Sequence, residues 1–374
     1  MESTYRALLA HCLDGSQWPA ALLDEARRGL ATLEGSRQFF GIVIERLGDL
    51  FEPRLCDVYA RLMADVLGDG SLADRYLRVR EVRPVGDVEP SQVIVLSRVT
   101  LGADVAVTSV VLDAAKRRFP RARVFLAGPR KNWELFAADP RIEHWDAPYG
   151  RSALFADRIA ARPWFGDALV LDPDSRLSQL GMLPVTNGEY RLFESRGFVG
   201  DGALPELASR WCELTLGVGG KPYVAPLPAA GVDPASATAN LGVGENPDKR
   251  IADPFEAELL AELPDDTLID LGGSEAEAQR VRKAAGPIKR LFQGSFADFA
   301  WLIQQSRLYV GYDSAGMHVA AACGVPLLCV FAGALNEQFF ERWKPTGDGP
   351  IEIVRPGPDV LTQSRRAVQS LLHR

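Results

Sequence analysis

The sequence predicts an α/β protein with two Rossmann-like domains that face each other across a cleft, preceded by an extra helical segment. The first ninety residues carry apolar side chains at helical spacing. From Val93 onward, short apolar strands alternate with longer helical stretches, which is typical of a doubly wound parallel sheet. The chain has 374 residues, which is enough for two domains of about 150 residues each.

The strand and helix alternation occurs in two series, separated by a proline-rich stretch over 217–237. The first series has predicted strands at 93–96, 124–126 and 168–171, and a helix at 105–119. The second has predicted strands at 238–242, 267–271, 307–312 and 326–331, and helices at 254–263, 275–285, 296–305 and 317–323, before a helical tail at 359–372. We therefore predict a helical extension over 1–90, one Rossmann-like domain over 91–225 and another over 226–374. The apolar residues of the extension are spaced for packing, so we expect an accessory or docking bundle there.

Composition excludes several classes of protein. Apolar residues make up 47% and charged residues 24%, which is the globular range. Acidic residues outnumber basic ones by 49 to 42 and no long basic run occurs, so we expect no nucleic-acid partner. The five scattered cysteines indicate neither a disulfide framework nor a zinc site, and they favour a reducing, cytoplasmic location. We expect no transmembrane segment, whereas peripheral contact with the inner membrane stays open.

The most informative segment is 310–326, in which a strand leads through a turn of small residues into a short alanine-rich helix. Free backbone N–H groups at a helix start attract a diphosphate, and small side chains let it approach. We predict that this turn and first helical residues bind such a group: Asp313, Ser314, Ala315, Gly316, Met317 and His318. Alternatively, Asp313 or Ser314 merely caps the helix, and His318 is a packing residue.

Three further groups of polar residues follow predicted strands. Lys249 and Arg250 would neutralise charge on a departing diphosphate, or they are a solvated basic pair. Glu275 or Glu277 would accept hydrogen bonds from ribose hydroxyls, or both are acids of a first helical turn. In the first domain, Asp174 and Arg176 would bind an acceptor, although the Asp-Pro-Asp-Ser sequence also suits a turn.

Four segments together resemble glycosyltransferase family 9, which contains the lipopolysaccharide heptosyltransferases. The motif D-S-x-x-M-H-x-A-A-A-x-G-x-P begins at Asp313 and is followed by an apolar strand and Phe-Ala-Gly at 331–333. The segments 101–105, 249–255 and 271–275 agree with the family in order and spacing. The resemblance covers about 93–343 and leaves out the N-terminal helices.

The resemblance implies a GT-B fold with a nucleotide-sugar donor in the C-terminal domain and an acceptor in the N-terminal one. It also implies inversion at the anomeric carbon, with no metal and no cofactor. Asp104 matches the family's catalytic base, and we expect its carboxylate to face the cleft because it follows the first strand and opens a helix. The family's Gly-Asp-Val is here Gly-Ala-Asp-Val at 102–105, with one residue added.

The sequence therefore predicts a metal-independent inverting glycosyltransferase that moves a sugar, for which the resemblance suggests a heptose. Its acceptor would be a glycan, a glycolipid or a protein. A nucleotide-sugar epimerase of the same fold is one alternative. A nucleotide-sugar-binding protein without turnover is another, suggested by the added Ala103.

Overall fold

Two parallel β-sheets form the frame of the molecule, as the computed structural model shows for residues 1–147, 154–243, 246, 249–287 and 289–373. The first sheet has the strand order β3-β2-β1-β4-β5. In its centre Val93 pairs with Val124 on one side and with Leu169 on the other. Its strands are β1 (Gln92–Leu96), β2 (Arg123–Gly128), β3 (Ile142–Asp146), β4 (Leu169–Asp172) and β5 (Tyr190–Leu192).

The second sheet has the order β11-β10-β9-β6-β7-β8, and all its pairings are parallel. Its strands are β6 (Ala237–Asn240), β7 (Leu268–Asp270), β8 (Arg290–Phe292), β9 (Leu308–Tyr312), β10 (Leu327–Val330) and β11 (Ile351–Val354). The two sheets confirm the predicted GT-B type of fold. They lie on either side of the predicted boundary at 225/226, which itself stays a prediction.

Six helices and one π-helical turn precede the first sheet. They are α1 (Glu2–Asp14), α2 (Ala20–Leu30), α3 (Leu33–Gln38), the π-helical turn Phe39–Ile44, α4 (Glu45–Asp49), α5 (Pro53–Leu67) and α6 (Ser71–Val79). Proline at the first position starts α5, and Gly68 in the left-handed conformation ends it. The apolar faces of these helices share one core with Phe155, Leu180 and Met182 of the first sheet's domain. The helical segment is therefore built into that domain.

The remaining helices flank the sheets. In the first domain these are α7 (Leu101–Ala103), α8 (Ser109–Arg118), α9 (Arg130–Trp133), α10 (Phe155–Ala160) and α11 (Leu204–Leu216). In the second they are α12 (Phe255–Leu260), α13 (Glu275–Ala285), α14 (Phe296–Gln305), α15 (Ala315–Ala322), α16 (Glu337–Trp343) and α17 (Val360–Leu372). Every helix among the described residues is too short or too polar to cross a membrane.

A π-helical turn, Asp104–Thr108, joins α7 to α8. A π-helical turn holds one residue more than the α-helical turn it replaces. The turn begins directly after Ala103, the residue that this sequence adds to the Gly-Asp-Val pattern. The helix predicted at 105–119 is thus α8 with this turn in front of it.

The two domains share a hydrophobic core where the helices behind β1 meet those behind β9. Val105 and Val107 belong to the same buried cluster as Met317 and Val319 of α15. Arg342 in α16 also donates a 3.0 Å hydrogen bond to the carbonyl oxygen of Gly202 in the first domain. This packing fixes the start of α15 against the first domain and defines the cleft beside it.

Candidate functional site

A cavity of about 680 Å³ lies between the domains, at the carboxyl ends of β1, β4 and β9. Its wall comes from three parts of the chain: the N-terminal helices, the first domain and the start of α15 with its neighbours. A more open hollow of about 900 Å³ lies at the other end of α15, near Cys323 and Arg210, and it contains none of the predicted site residues. Because ligands of open α/β sheets bind at the carboxyl ends of strands, we take the first cavity as the candidate site.

The start of α15 faces this cavity with its backbone uncapped. Ser314 has extended backbone angles, and its side chain makes no capping hydrogen bond to the helix. The alternative that Ser314 caps the helix is therefore wrong. Ser314, Ala315, Met317 and His318 line the cavity. Gly316 instead packs against Tyr309, because a Cβ at that position would overlap the Tyr309 ring and hydroxyl.

Lys249 reaches the same end of α15 and is held there by Asp313. Its ammonium group lies 2.6 Å from Asp313 Oδ2 and donates a 3.0 Å bond to the Asp313 carbonyl oxygen. The other carboxylate oxygen accepts hydrogen bonds from the amides of Ala332 and Gly333, at 3.0 and 3.2 Å. Asp313 therefore positions Lys249 beside the open helix end.

His318 contributes an uncharged ring to the cavity wall. Burial, and secondly the charge of Lys249, lower the pKa of this imidazole to about 4. The ring lies edge-on to Trp343, with centroids 5.9 Å apart. At neutral pH the side chain is therefore a neutral hydrogen-bonding group.

Arg250 and Glu277, which we predicted to meet the donor, pair with each other instead of lining the cavity. Arg250 forms ion pairs with Glu256 and Glu277, and its side chain is nine-tenths buried among them. Glu275 is exposed at the start of α13 and pairs with Arg282 at 3.2 Å. None of the three predicted residues is among the described residues that line the cavity. Lys249 faces the cavity and Arg250 does not, because neighbouring side chains leave an irregular backbone in different directions.

The expectation that the Asp104 carboxylate faces the cleft is wrong. The side chain is fully buried and accepts four hydrogen bonds. The donors are the hydroxyls of Ser97 and Thr108, each at 2.6 Å, the amide of Arg98 at 2.7 Å and the side-chain nitrogen of Asn132 at 2.6 Å. Burial raises the pKa of Asp104, and these hydrogen bonds oppose that effect. This carboxylate ties the segment after β1, the π-helical turn and α9 together.

Ala103 takes the place in the wall that we expected Asp104 to fill. Gly102 and Ala103 both line the cavity. Ala103 ends α7, and Asp104, the first residue of the π-helical turn that follows, is fully buried in the core. The cavity wall therefore carries the methyl group of Ala103 at this point.

Asp174 and Arg176, which we predicted to bind an acceptor, line the part of the cavity wall that comes from the first domain. Arg176 donates a 2.7 Å bond to Glu45 of α4. Asp174 adopts a left-handed backbone with φ 68°. Its Oδ2 accepts 2.6 Å bonds from Ser195 and Arg196. The structure thus brings both residues to the site but already holds them in ion pairs.

Four further charged residues of the wall were missed by sequence reasoning: Glu45, Asp49, Arg98 and Arg196. Arg98 lies two residues after the end of β1, so its place near a strand end was a usable signal. Arg196 follows β5, a strand that was not predicted. Glu45 and Asp49 sit four residues apart on an amphipathic helix, which is also the pattern of a solvated face, so nothing in the sequence singles them out. The N-terminal helices are therefore part of the site and not an accessory bundle alone.

The fold and the site define a two-domain protein of the glycosyltransferase GT-B type. Residues 269–358 match the model of glycosyltransferase family 9 (heptosyltransferase), which confirms the resemblance found in the sequence and the assignment to the glycosyltransferases. The match includes the start of α15 and Asp313, and it leaves the first domain untested. No curated relative matches the chain with significance.

Solved structures of this family share the fold. The E. coli heptosyltransferase WaaC, with ADP-2-deoxy-2-fluoro heptose, matches with a TM-score of 0.57 at 15% identity, over 75% of this chain and 99% of that one. E. coli ADP-heptose lps heptosyltransferase II matches with a TM-score of 0.53 at 16% identity, over 75% of this chain and 98% of that one. A family 9 glycosyl transferase from Veillonella parvula matches with a TM-score of 0.54 at 15% identity, over 77% of this chain and 98% of that one. About a quarter of this chain lies outside each match, a share similar to the predicted N-terminal extension.

Proposed function

We propose that this protein transfers a sugar from a nucleotide-diphosphate donor to an acceptor hydroxyl, with inversion and without a metal ion. The observation that carries the proposal is one cavity with two unlike walls. On one side lie the uncapped start of α15 and Lys249. On the other lie paired carboxylates and arginines from the first domain and the N-terminal helices.

The first wall suits the leaving diphosphate. In the proposed reaction the acceptor oxygen attacks the anomeric carbon, and the bond from that carbon to the phosphate oxygen breaks. The electron pair goes to the diphosphate, whose added charge is stabilised by the amides of α15 and the ammonium of Lys249. These groups support the proposal of metal independence, because they supply the positive charge that a divalent ion would otherwise provide.

A heptose is the first sugar to test. The solved relatives include one with ADP-2-deoxy-2-fluoro heptose and one with ADP, and another is described as an lps heptosyltransferase. For this chain we propose ADP-heptose as the donor and the lipopolysaccharide core as the first acceptor, with other glycans and proteins as further candidates. Such an acceptor would place the enzyme in the cytoplasm, at the inner membrane.

The test is a turnover assay with ADP-heptose and deacylated lipopolysaccharide core. The proposal predicts release of ADP that depends on the acceptor, persists with excess EDTA and yields a product with inverted anomeric configuration by NMR. Loss of turnover with EDTA, restored by a divalent ion, would contradict metal independence. Absence of both ADP binding and ADP release would contradict the function itself.

A second candidate is a nucleotide-sugar-binding protein without turnover. It is favoured by one observation, which is that Ala103 replaces the expected carboxylate in the wall while Asp104 is sealed in the core. This candidate predicts calorimetric ADP binding with no consumption of ADP-heptose, with or without the acceptor. Any steady release of ADP above the rate without protein would exclude it.

A further inference from the structure

We infer that the proton of the acceptor hydroxyl is taken by a carboxylate of α4, Glu45 or Asp49, and not by Asp104. This inference rests on the proposed transferase function. In the step, the acceptor oxygen forms its bond to the anomeric carbon and gives its proton to the carboxylate. The diphosphate leaves with the electron pair of the broken bond, and the resulting carboxylic acid later returns its proton to water.

Asp104 does not meet the requirements of a general base in this structure. A general base must come within hydrogen-bonding distance of the proton it removes. All four donors to Asp104 belong to the protein, and the side chain has no exposed surface. The neighbouring Ala103, which does reach the cavity, has no titratable group.

Four carboxylates line the cavity among the described residues: Glu45, Asp49, Asp174 and Asp313. Asp313 is engaged by Lys249 and by two backbone amides at the donor end. Asp174 is 1% exposed in its side chain and is locked by Ser195 and Arg196. The Asp174 and Asp313 side chains are only 1% and 4% exposed, whereas Glu45 keeps 16% of its side chain exposed and Asp49 is only partly buried. The pair on α4 therefore offers more surface to an acceptor in the cavity, even though both of its carboxylates have partners of their own.

The local fold fixes the α4 pair toward the cavity. The π-helical turn Phe39–Ile44 leads directly into α4, whose residues 45 and 49 lie on the same helix face. Gly48, between them, lies against the Arg196 guanidinium, and a Cβ at position 48 would overlap it. The backbone of α4 therefore approaches the first domain closely enough for both carboxylates to enter the wall.

Arginines orient both carboxylates. Glu45 Oε1 lies 2.7 Å from Arg176 Nη1, and the Glu45 side chain keeps 16% of its surface exposed. Burial alone would lower the pKa of Arg196, but the charges of Asp174 and Asp49 raise it, so this guanidinium stays charged beside Asp49. An arginine therefore lies beside each of the two carboxylates and fixes its direction in the cavity wall.

The test compares Glu45→Gln, Asp49→Asn and the double variant with wild type. Release of ADP from ADP-heptose is measured with deacylated core and with water alone, and ADP binding is measured by calorimetry. Removing a general base typically costs about 10²- to 10⁴-fold in rate. We expect at least one single variant to lose about 100-fold or more in turnover, and to lose the acidic limb of the pH-rate profile, while its affinity for ADP stays within about twofold of wild type. The conservative variant at the same position, Glu45→Asp or Asp49→Glu, should keep part of the turnover rate that the Gln or Asn variant loses.

Glu34→Gln is the matched control, because Glu34 is exposed on α3, lies outside the cavity wall as described and accepts a hydrogen bond from Gln38 of its own helix. The inference is overturned if all three α4 variants keep turnover within about threefold of wild type. It is also overturned if Asp104→Asn stays folded and binds ADP but loses turnover, while the α4 variants keep theirs. If wild type neither binds ADP nor releases it, the proposed function fails and the inference fails with it.

Discussion

Gly102 of the first domain lies directly against Ala315, the first residue of α15 in the second domain. A Cβ at position 102 would stand 3.2 Å from Ala315 Cα and 3.4 Å from His318 Cδ2. The two domains thus meet at a glycine, next to the helix end that we assign to the diphosphate. Any side chain at position 102 must displace α15 or fill the donor site.

Gly102→Val is expected to lower both stability and donor affinity. Overpacking a close contact costs about 1–3 kcal/mol, which thermal unfolding would report as a lowered Tm. Gly70→Val is the control, because position 70 has open space around a missing Cβ. If the Gly102 variant binds ADP as tightly as wild type, the contact has no role at the donor site.

Asp104→Asn is expected to destabilise the fold at pH 7 by about 1–3 kcal/mol, because the amide nitrogen would face donors where a carboxylate oxygen accepted hydrogen bonds. The pH dependence has the opposite sign to that of an ordinary surface aspartate. Burial raises the folded pKa above its usual 3.8, so the folded state binds the proton more tightly than the unfolded chain.

The contribution of Asp104 to stability should therefore fall as pH rises from about 4 through the folded pKa, and level off above it. Chemical denaturation of wild type and Asp104→Asn over pH 4–8 isolates this effect as the difference between their unfolding free energies. A difference that grows with pH in that window would show that the folded pKa of Asp104 is lowered and would contradict the effect of burial.

His318 is expected to destabilise the fold in acid. Its folded pKa of about 4 lies below the usual 6.5, so the unfolded chain binds a proton first as pH falls. As pH falls from about 6.5 to 4, the free energy of unfolding should decrease by at most about 3 kcal/mol. In His318→Gln this part of the pH dependence should vanish, as measured by unfolding free energies at pH 7 and pH 5. Because the ring is neutral from pH 6.5 to 8, wild type and His318→Gln should show the same pH dependence of ADP affinity over this range.

Removal of the N-terminal helices is expected to prevent stable folding. Deleting residues 1–80 would expose Phe155, Leu180 and Met182, which share a core with these helices. We expect aggregation in size-exclusion chromatography. A monodisperse truncated protein that still binds ADP would show instead that the helices are an independent domain.

The sequence allowed the central strands of both sheets to be predicted but none of the outer ones. Buried parallel strands are continuous apolar runs, as in β1 and β9. The four missed strands, β3, β5, β8 and β11, are the two edges of each sheet. They are short and partly exposed and contain polar residues such as Glu143 and Arg191, so their pattern resembles that of loops.

Sequence reasoning located the donor wall better than the acceptor wall. The start of α15 is a local motif, in which a strand, a turn and a helix follow one another along the chain. The acceptor wall joins residues far apart in the chain, such as Glu45 and Arg176, which no local pattern connects. Asp104 was misplaced because a one-residue insertion rotates a helical side chain by about 100°, and only the structure shows which neighbours receive it.

The most direct test of the central claim is calorimetric titration of ADP into wild type, Lys249→Ala and the exposed control Lys221→Ala. Lys221 is 78% exposed in its side chain and lies at the other hollow. We expect one ADP per chain for wild type and for the control. It predicts at least about a tenfold weaker affinity for Lys249→Ala, equivalent to about 1.4 kcal/mol. Equal affinity in all three proteins, or no binding by wild type, would contradict it.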